Sequence, residues 1–581
     1  MASVPRGRRA ALALSVVAIL AFAGTAAAAG SATLVTVGSP PSPFSQNKQN
    51  EPAIAVNPAN PMMMAAGSND EIDLESCAAG DPTTCPFTTG VGVSGIYFSI
   101  DGGTTWTQPT YTGWTARGCL GPGACTPQVG PIGTLPNYYA AGLVSDGDPM
   151  LAFGPAPDST GAFAWGNGVR LYYGNLTSNF SSARSEAAFK GSEAVAVSYT
   201  VDLTKAMAGD NTGWSSPVIV TKQNAALFSD KDGLWVDNAA SSPHFGAVYE
   251  CNVAFRSLGG APEPVMFTRS TDGGATWAKQ MQLTAATDNN RTGGRQGCAI
   301  RTDSHGVIYV FWEGTDIKTR QSVQFMARSF DGGVSFEKPR AVASVVDVGQ
   351  FDPNTARFSF DGVAGARTDS FPSVDIANGA PTGVGATDEI VLGWADGTTP
   401  TDVSGGPNER ALVQWSTDGG DTWSAPLNAA PTADRPNFPA FAIAPDGSQL
   451  YVTYDNFLQP WQSDTSKPRS MQGVVRTAAV GTDGTPGAWS DLYRGAIGDA
   501  RGSSQNGLTA GFLGDYNAAM AMGDSVAAVW NDVRNAADCP AIDTYRENLV
   551  TGTTPNPVPA VGTDCPASFG NTDIYGGVFT P

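Results

Sequence analysis

Histidine is almost absent from this chain: His244 and His305 are the only two in 581 residues. That leaves little room for a Ser-His-Asp triad or a histidine-ligated zinc. Both histidines sit between a first and a second strand, in Ser-Pro-His-Phe-Gly and Asp-Ser-His-Gly contexts that read as turns. No Cys-x-x-Cys pair occurs, which disfavours a thiolate metal site. Positive charge is scarce too, with 33 Lys and Arg against 53 Asp and Glu and a formal net charge of −20. Nucleic-acid phosphates would be repelled by that balance. After the first ~29 residues no run is apolar enough to span a bilayer. No Pro/Ser-rich linker or shift of composition separates a second domain.

Those first residues resemble an export signal. Arg6, Arg8 and Arg9 precede an apolar stretch, Ala11 to Ala23, broken only by Ser15, and Thr25 to Ala29 offers small-residue cleavage sites. The expectation is a secreted, extracellular protein with a signal over 1–29 and one domain over 30–581. Eight cysteines suit an oxidising compartment. Nearest-neighbour pairing would give Cys77–Cys85, Cys119–Cys125, Cys251–Cys298 and Cys539–Cys565, although spacing alone does not determine connectivity.

What the chain has in abundance is turns, with 69 Gly and 41 Pro. Four of them repeat one pattern. They read Ser99-Ile-Asp101-Gly-Gly-Thr-Thr-Trp106, Ser270-Thr-Asp272-Gly-Gly-Ala-Thr-Trp277, Ser329-Phe-Asp331-Gly-Gly-Val-Ser-Phe336 and Ser416-Thr-Asp418-Gly-Gly-Asp-Thr-Trp423. The Asp accepts backbone N–H bonds of its own turn, the glycines supply positive φ, and the aromatic returns to a packed layer. Two further units, near Asp210 to Trp214 and Thr482 to Pro486, carry degenerate versions.

A second repeat precedes these hairpins: an acidic or aromatic residue, a small or turn-prone residue, then an alternating apolar strand. It begins at Glu51, Asp148, Asp232, Gly297, Phe371, Phe438 and Asp515. Runs such as Val307-Ile-Tyr-Val-Phe-Trp312 and Val526-Ala-Ala-Val-Trp530 follow as second strands. Four antiparallel strands per unit around a centre make an all-β fold, a β-propeller with seven blades favoured over six. The strand Ala32 to Val37 is expected to pair with Asp573 to Phe579 and close the ring, removing open edges. Around 77–139 the strand pattern is weak, and part of that region reads as a long loop.

The four hairpins resemble the Asp-box, or BNR repeat, of the sialidase-like propeller superfamily. Glu51-Pro-Ala-Ile-Ala-Val-Asn-Pro-Ala-Asn-Pro61 and Phe512-Leu-Gly-Asp-Tyr516 resemble exported members of that group. The resemblance implies that Asp101, Asp272, Asp331 and Asp418 are structural and lie away from any active site. It also implies an Arg-Ile-Pro segment at the first inner strand. The chain reads Glu51-Pro-Ala there and has no Arg-Ile-Pro anywhere, so one expected ligand of a substrate carboxylate is missing.

In an antiparallel pair the start of one strand lies beside the end of the next. Residues before the inner strands and after the second strands therefore share one face. Arg295, Arg367 and Arg435 precede successive inner strands; Asp148, Asp232 and Asp515 begin others; Asp70 follows a second strand and Tyr516 follows Asp515. One reading is a polar pocket in which the arginines, Asp148, Asp232 and Asp515 hold a glycan. Asp70 would be its general acid/base, and Tyr516 a nucleophile of the kind the resemblance implies. The other is a non-catalytic propeller that binds glycan or a cell-surface protein. The same charges also read as a rim of mutual ion pairs. A monomer is expected, with no cofactor; Ca²⁺ is the one cation that the acidic strand starts would suit.

Overall fold

A computed structural model describes residues 1–2, 31–85, 87–221, 224–256, 262–287, 293–352, 357–360, 362–397, 409–460 and 464–581. The expected export signal lies almost wholly outside the described residues.

Seven small antiparallel sheets are arranged as the seven blades of a propeller. Their inner strands run over Gln49–Val56, Met150–Pro157, Leu227–Val236, Gly293–Thr302, Ser373–Ile376, Pro436–Ile443 and Ala518–Met522, here blades 1 to 7. Each inner strand lies against the next, and that of blade 7 lies against that of blade 1. The ring closes as the sequence predicts. Thr33 pairs with Gly576 and Leu34 with Tyr575, so the N-terminal strand becomes the outer strand of blade 7. Closure joins the two ends of the chain within one blade, while each blade keeps its own inner and outer edge strands.

Alternation within the strands decides what fills the seams. One face of each strand packs on the preceding blade and the other on the following blade. Seven separate apolar clusters result, one per seam; Tyr249, Phe267 and Trp312, for example, fill the seam between blades 3 and 4. Room for the largest rings comes from small residues opposite them. A Cβ at Gly473 of blade 6 would lie 2.2 Å from Trp530 Nε1 of blade 7.

The four hairpins connect third to fourth strands in blades 1, 3, 4 and 5, as their chemistry predicts. In each, the Asp Oδ1 accepts the N–H four residues on at 2.9 Å, and the preceding Ser Oγ accepts the second Gly N–H. The degenerate turns at Asp210 and Asp483 keep a shortened form, each Asp accepting the N–H two residues on. In blade 1 the fourth strand is reduced to one bridge, Phe98 to Thr107. The region 77–139 holds the third strand of blade 1, Ser94–Ser99, and a separate hairpin of Tyr111–Thr115 with Gln128–Ile132. All four nearest-neighbour disulfides are present. His244 and His305 sit in the turns after the inner strands of blades 3 and 4, as read.

Sequence periodicity did not show a helix over Pro540–Thr551. Its signals are present in hindsight: Pro540 opens it and Gly552, at φ 68°, ends it. It lies over one end of the ring, where Ile542 packs with Phe44, Leu508 and Phe569.

Candidate functional site

At the end of the ring where the inner strands enter, four of them bulge. Pairing with the second strand slips between Asn50 and Ala53, Asp230 and Gly233, Gln296 and Ala299, and Asn437 and Ala440. The residue inside each bulge has left-handed backbone: Glu51 (φ 55°), Lys231 (53°), Gly297 (70°) and Phe438 (52°). Asp148, just before the blade 2 strand, matches them at 51°. A bulge leaves its residue out of the ladder and re-aims its side chain. Non-glycine residues held at positive φ store strain of the sort found at functional positions.

Here the register corrects the sequence reading. The blade 3 repeat begins at Lys231, not at Asp232. Asp-Gly at 232–233 looked like the repeat start, but the bulge places Gly233 opposite Cys251 and moves the frame back by one. Lys231 was therefore missed. Asp232 is instead turned toward blade 2, where its Oδ2 faces Gly174. Neither Asp232 oxygen has a hydrogen-bond partner among the described residues, and burial, then Asp148 and Glu250, push this carboxyl well above the usual range.

The re-aimed side chains meet at the mouth of the central channel. Arg367 Nε donates to Asp515 Oδ1 at 2.7 Å and its Nη2 reaches Glu51 Oε1 at 3.4 Å. Lys231 Nζ bonds Asp515 Oδ2 and lies 3.7 Å from Asp148 Oδ2. Asn69 links the acids, donating to Glu51 Oε2 at 2.5 Å and accepting the Asp148 N–H at 2.8 Å. Phe512 covers the Arg367 guanidinium, and Phe371 lies beside Lys231. Residues from blades 1, 2, 3 and 7, and the segment before blade 5, are thus tied together by charge.

Environment splits the protonation of these acids. Burial, and then the charge of Glu51, push the Asp148 carboxyl up to about 8, against the pull of Lys231. Burial also opposes ionisation of Asp515, but Arg367 and Lys231 outweigh it and hold that carboxyl well below the usual range. One acid is protonated at neutral pH and its neighbour is ionised, which is the arrangement acid/base chemistry needs. Asp230, just outside, is raised by burial to about 6.

Below the mouth lies a cavity of about 1300 Å³, counted with its opening, walled by inner-strand residues that include Ile54, Met150, Leu234, Trp235 and Phe438. Tyr516 lines it; its buried hydroxyl has no partner among the described residues, and burial followed by Asp148 and Glu51 keeps it protonated.

The remaining predicted residues lie elsewhere. Asp70 is fully buried in blade 1 under four donors: Gln49 Nε2, Tyr97 OH, Gln108 Nε2 and the Ile72 N–H, at 2.5–3.0 Å. Its carboxylate caps a short helical turn, with its oxygens taken up by these donors. Arg435 turns its Nη1 toward the carbonyls of Ala433 and Leu458. Arg295 lies in the blade 4 strand, and its side chain is outside the described residues. Of the three arginines, Arg367 is the one seen at the mouth. Lys231 and Arg367 also stand between the strand-start acids expected to suit Ca²⁺. A different trio, Glu313, Asp347 and Asp369, brings carboxylate oxygens within 4.8 Å of one another.

Neither a protein-family model nor a curated protein sequence matches the chain. Solved structures do, distantly. A protein of unknown function from Dyadobacter fermentans is 12% identical, with TM-score 0.36, over 74% of this chain and 93% of its own. A Hadza microbial sialidase is 13% identical, with TM-score 0.35, over 65% of this chain and 62% of its own. The Trypanosoma rangeli sialidase is 12% identical, with TM-score 0.33, over 74% of this chain and 56% of its own. The chain thus spans less than two thirds of either sialidase, and nothing about substrate follows from likeness this remote.

Proposed function

We propose that this is an exported propeller that acts on glycans at the mouth of its central channel by acid/base chemistry. Asp148 is the proton donor and Asp515 the ionised partner. The observation that carries this reading is the contact of Lys231 with both Asp148 and Asp515 at the mouth of the channel cavity. Asp148 takes the role first read into Asp70, whose oxygens are already occupied. Tyr516 supplies a ring face and a neutral hydroxyl; burial among acids argues against its ionising as a nucleophile. Four disulfides support an extracellular setting. No helix among the described residues is long and apolar enough to cross a membrane.

The test is a panel of fluorogenic glycosides, including an α-sialoside and an α-L-arabinofuranoside, with wild type and Asp148→Asn. Removing a general acid is expected to slow turnover by about 10²-fold or more. Unchanged turnover in a folded variant would overturn the assignment. A second reading, glycan binding without turnover, is favoured by the burial of the cluster, where Glu51, Asp148 and Asp515 are all under a tenth exposed. Saturable binding with no cleavage of any glycoside would establish that reading instead.

A further inference from the structure

Lys231 stands at the mouth in backbone that needs support. It sits at φ 53° inside a bulge, out of the ladder, with its buried ammonium between Asp148 and Asp515. Strained backbone of this kind persists where the surrounding contacts over-determine it. Part of that support is covalent. Cys251, on the second strand of blade 3, lies opposite Gly233 and is bonded to Cys298 of blade 4. Cys298 falls inside the slip of its own strand, between Gln296 and Ala299. The bridge therefore ties the ladder beside one bulge to the interior of the next. The other three bridges span 6, 8 and 26 residues of sequence, against 47 here, and this is the one that crosses between blades.

Its fit against the Lys231 bulge is close. Cys298 Sγ lies 3.5 Å from the Lys231 carbonyl oxygen. A Cβ at Gly233 would stand 2.6 Å from the Cys298 carbonyl oxygen and 3.2 Å from Cys251 Sγ. The bridge and its backbone thus take the space that a side chain at position 233 would need. A second path runs from the same cysteine toward the ammonium. Gly297, next to Cys298, packs on Phe371, where a Cβ would lie 2.6 Å from the ring Cδ1, and that ring lies 5.6 Å from Lys231 Nζ. Blade 4 therefore bears on the lysine at its backbone and, through Phe371, at its charged end.

We propose that the Cys251–Cys298 disulfide is a positioning element of the channel mouth, fixing the Lys231 bulge so that its ammonium stays between Asp148 and Asp515. This rests on the mouth cluster being the site of the proposed function, but it does not depend on turnover there. Asp148 reports the position of Lys231, because the ammonium at 3.7 Å is the pull that opposes burial and Glu51 in setting its proton. The other groups that face Asp148 are Glu51, Glu193, Asp230, Asp232, Asp515 and Arg367, with the Tyr516 hydroxyl. Asp230 and Asp232 share the stapled strand, and Lys231 is that strand's cation at the cluster.

The experiment compares the melting temperature of the protein with that of its Asp148→Asn variant from about pH 5 to about pH 10. The difference isolates the Asp148 proton. It falls as pH rises and levels off once the folded carboxyl has lost its proton, at about 8. In a Cys251→Ala/Cys298→Ala background the levelling point is expected to rise by about one unit or more, since the ammonium withdraws while burial remains. Ile308→Ala weakens the same seam at the end away from the mouth and should leave the point at about 8. If the double variant does not fold, Gly233→Ala crowds the bridge without breaking it and should move the point the same way by less. An unchanged or lowered point in the folded variant overturns the inference. An equal shift in Ile308→Ala overturns it too, because the effect would then be one of seam stability. The expected shift without turnover of any glycoside sustains this inference and removes the catalytic reading. Asp148-dependent turnover with an unchanged levelling point does the reverse.

Discussion

Arg367 donates its Nε–H to the Asp515 carboxylate across 148 residues of sequence, linking the segment before blade 5 to the entry of blade 7. The same carboxylate also receives Lys231 from blade 3. One carboxylate therefore binds two cations at the centre of the ring. Its neighbour Asp148 keeps its proton because burial, and then the charge of Glu51, outweigh the pull of Lys231.

Asp515→Asn is expected to be strongly destabilising. The side chains of Asp515 and Lys231 are about 4 and 5% exposed, so the variant leaves a buried ammonium and a guanidinium short of their partner. Breaking such a pair costs about 3–5 kcal/mol. Chemical denaturation should show the loss at neutral pH; a change under about 1 kcal/mol would mean the pair is well solvated.

Asp148 makes stability and activity pH-dependent in a defined window. Its carboxyl titrates near 3.8 in the unfolded chain and at about 8 in the fold. Between those values the folded state holds the extra proton. The stabilisation is complete below the lower value and is lost as pH rises through the upper. Melting temperature should fall over this range, less steeply in Asp148→Asn, which has no proton to lose. Turnover that needs the protonated acid should decline above about pH 8. Parallel melting curves for the two proteins would contradict the assignment.

Cys251 and Cys298 join the second strand of blade 3 to the inner strand of blade 4, 47 residues apart. Replacing both with serine should cost about 2–4 kcal/mol through the freed unfolded chain. Differential scanning calorimetry under non-reducing conditions measures it. An unchanged melting point would show that the apolar packing of this seam suffices alone.

The hairpin acids should behave oppositely to Asp148. Asp331 is held at about 2 by bonds from Ser335, first its hydroxyl and then its N–H. Its folded value lies below the unfolded one, so its stabilisation is present at neutral pH and lost as pH falls toward about 2. Because this turn is solvent-exposed, Asp331→Ala should cost less than about 1 kcal/mol. Glycoside turnover should not change, and a large loss of turnover would place this hairpin nearer the chemistry than the fold does.

Local signals served well where the physics is local. The Asp-Gly-Gly turns were legible because each Asp bonds N–H groups two to four residues away. Disulfide pairing followed proximity in sequence. Arg367 and Asp515 were found as candidates because strand repeats placed both at one end of the ring. Their pairing was not legible, since nothing local to either names the other. Lys231 escaped because an extra residue in the strand shifts the frame, and only the facing strand, through Cys251 opposite Gly233, shows the slip. Asp70 misled for a similar reason. Its place after a second strand suited the mouth, but Tyr97, Gln49 and Gln108 draw the carboxylate into blade 1.

By itself, then, the amino-acid sequence determined the repeat, the seven-bladed ring, its closure by the N-terminal strand and the nearest-neighbour disulfides. These follow from alternation, turn residues and composition, all of which act over a few residues. Tertiary structure decided which acid keeps a proton, which cations are already partnered and which side chains face the channel. Those outcomes depend on burial and on charges brought together from separate blades, and neither exists until the ring has closed.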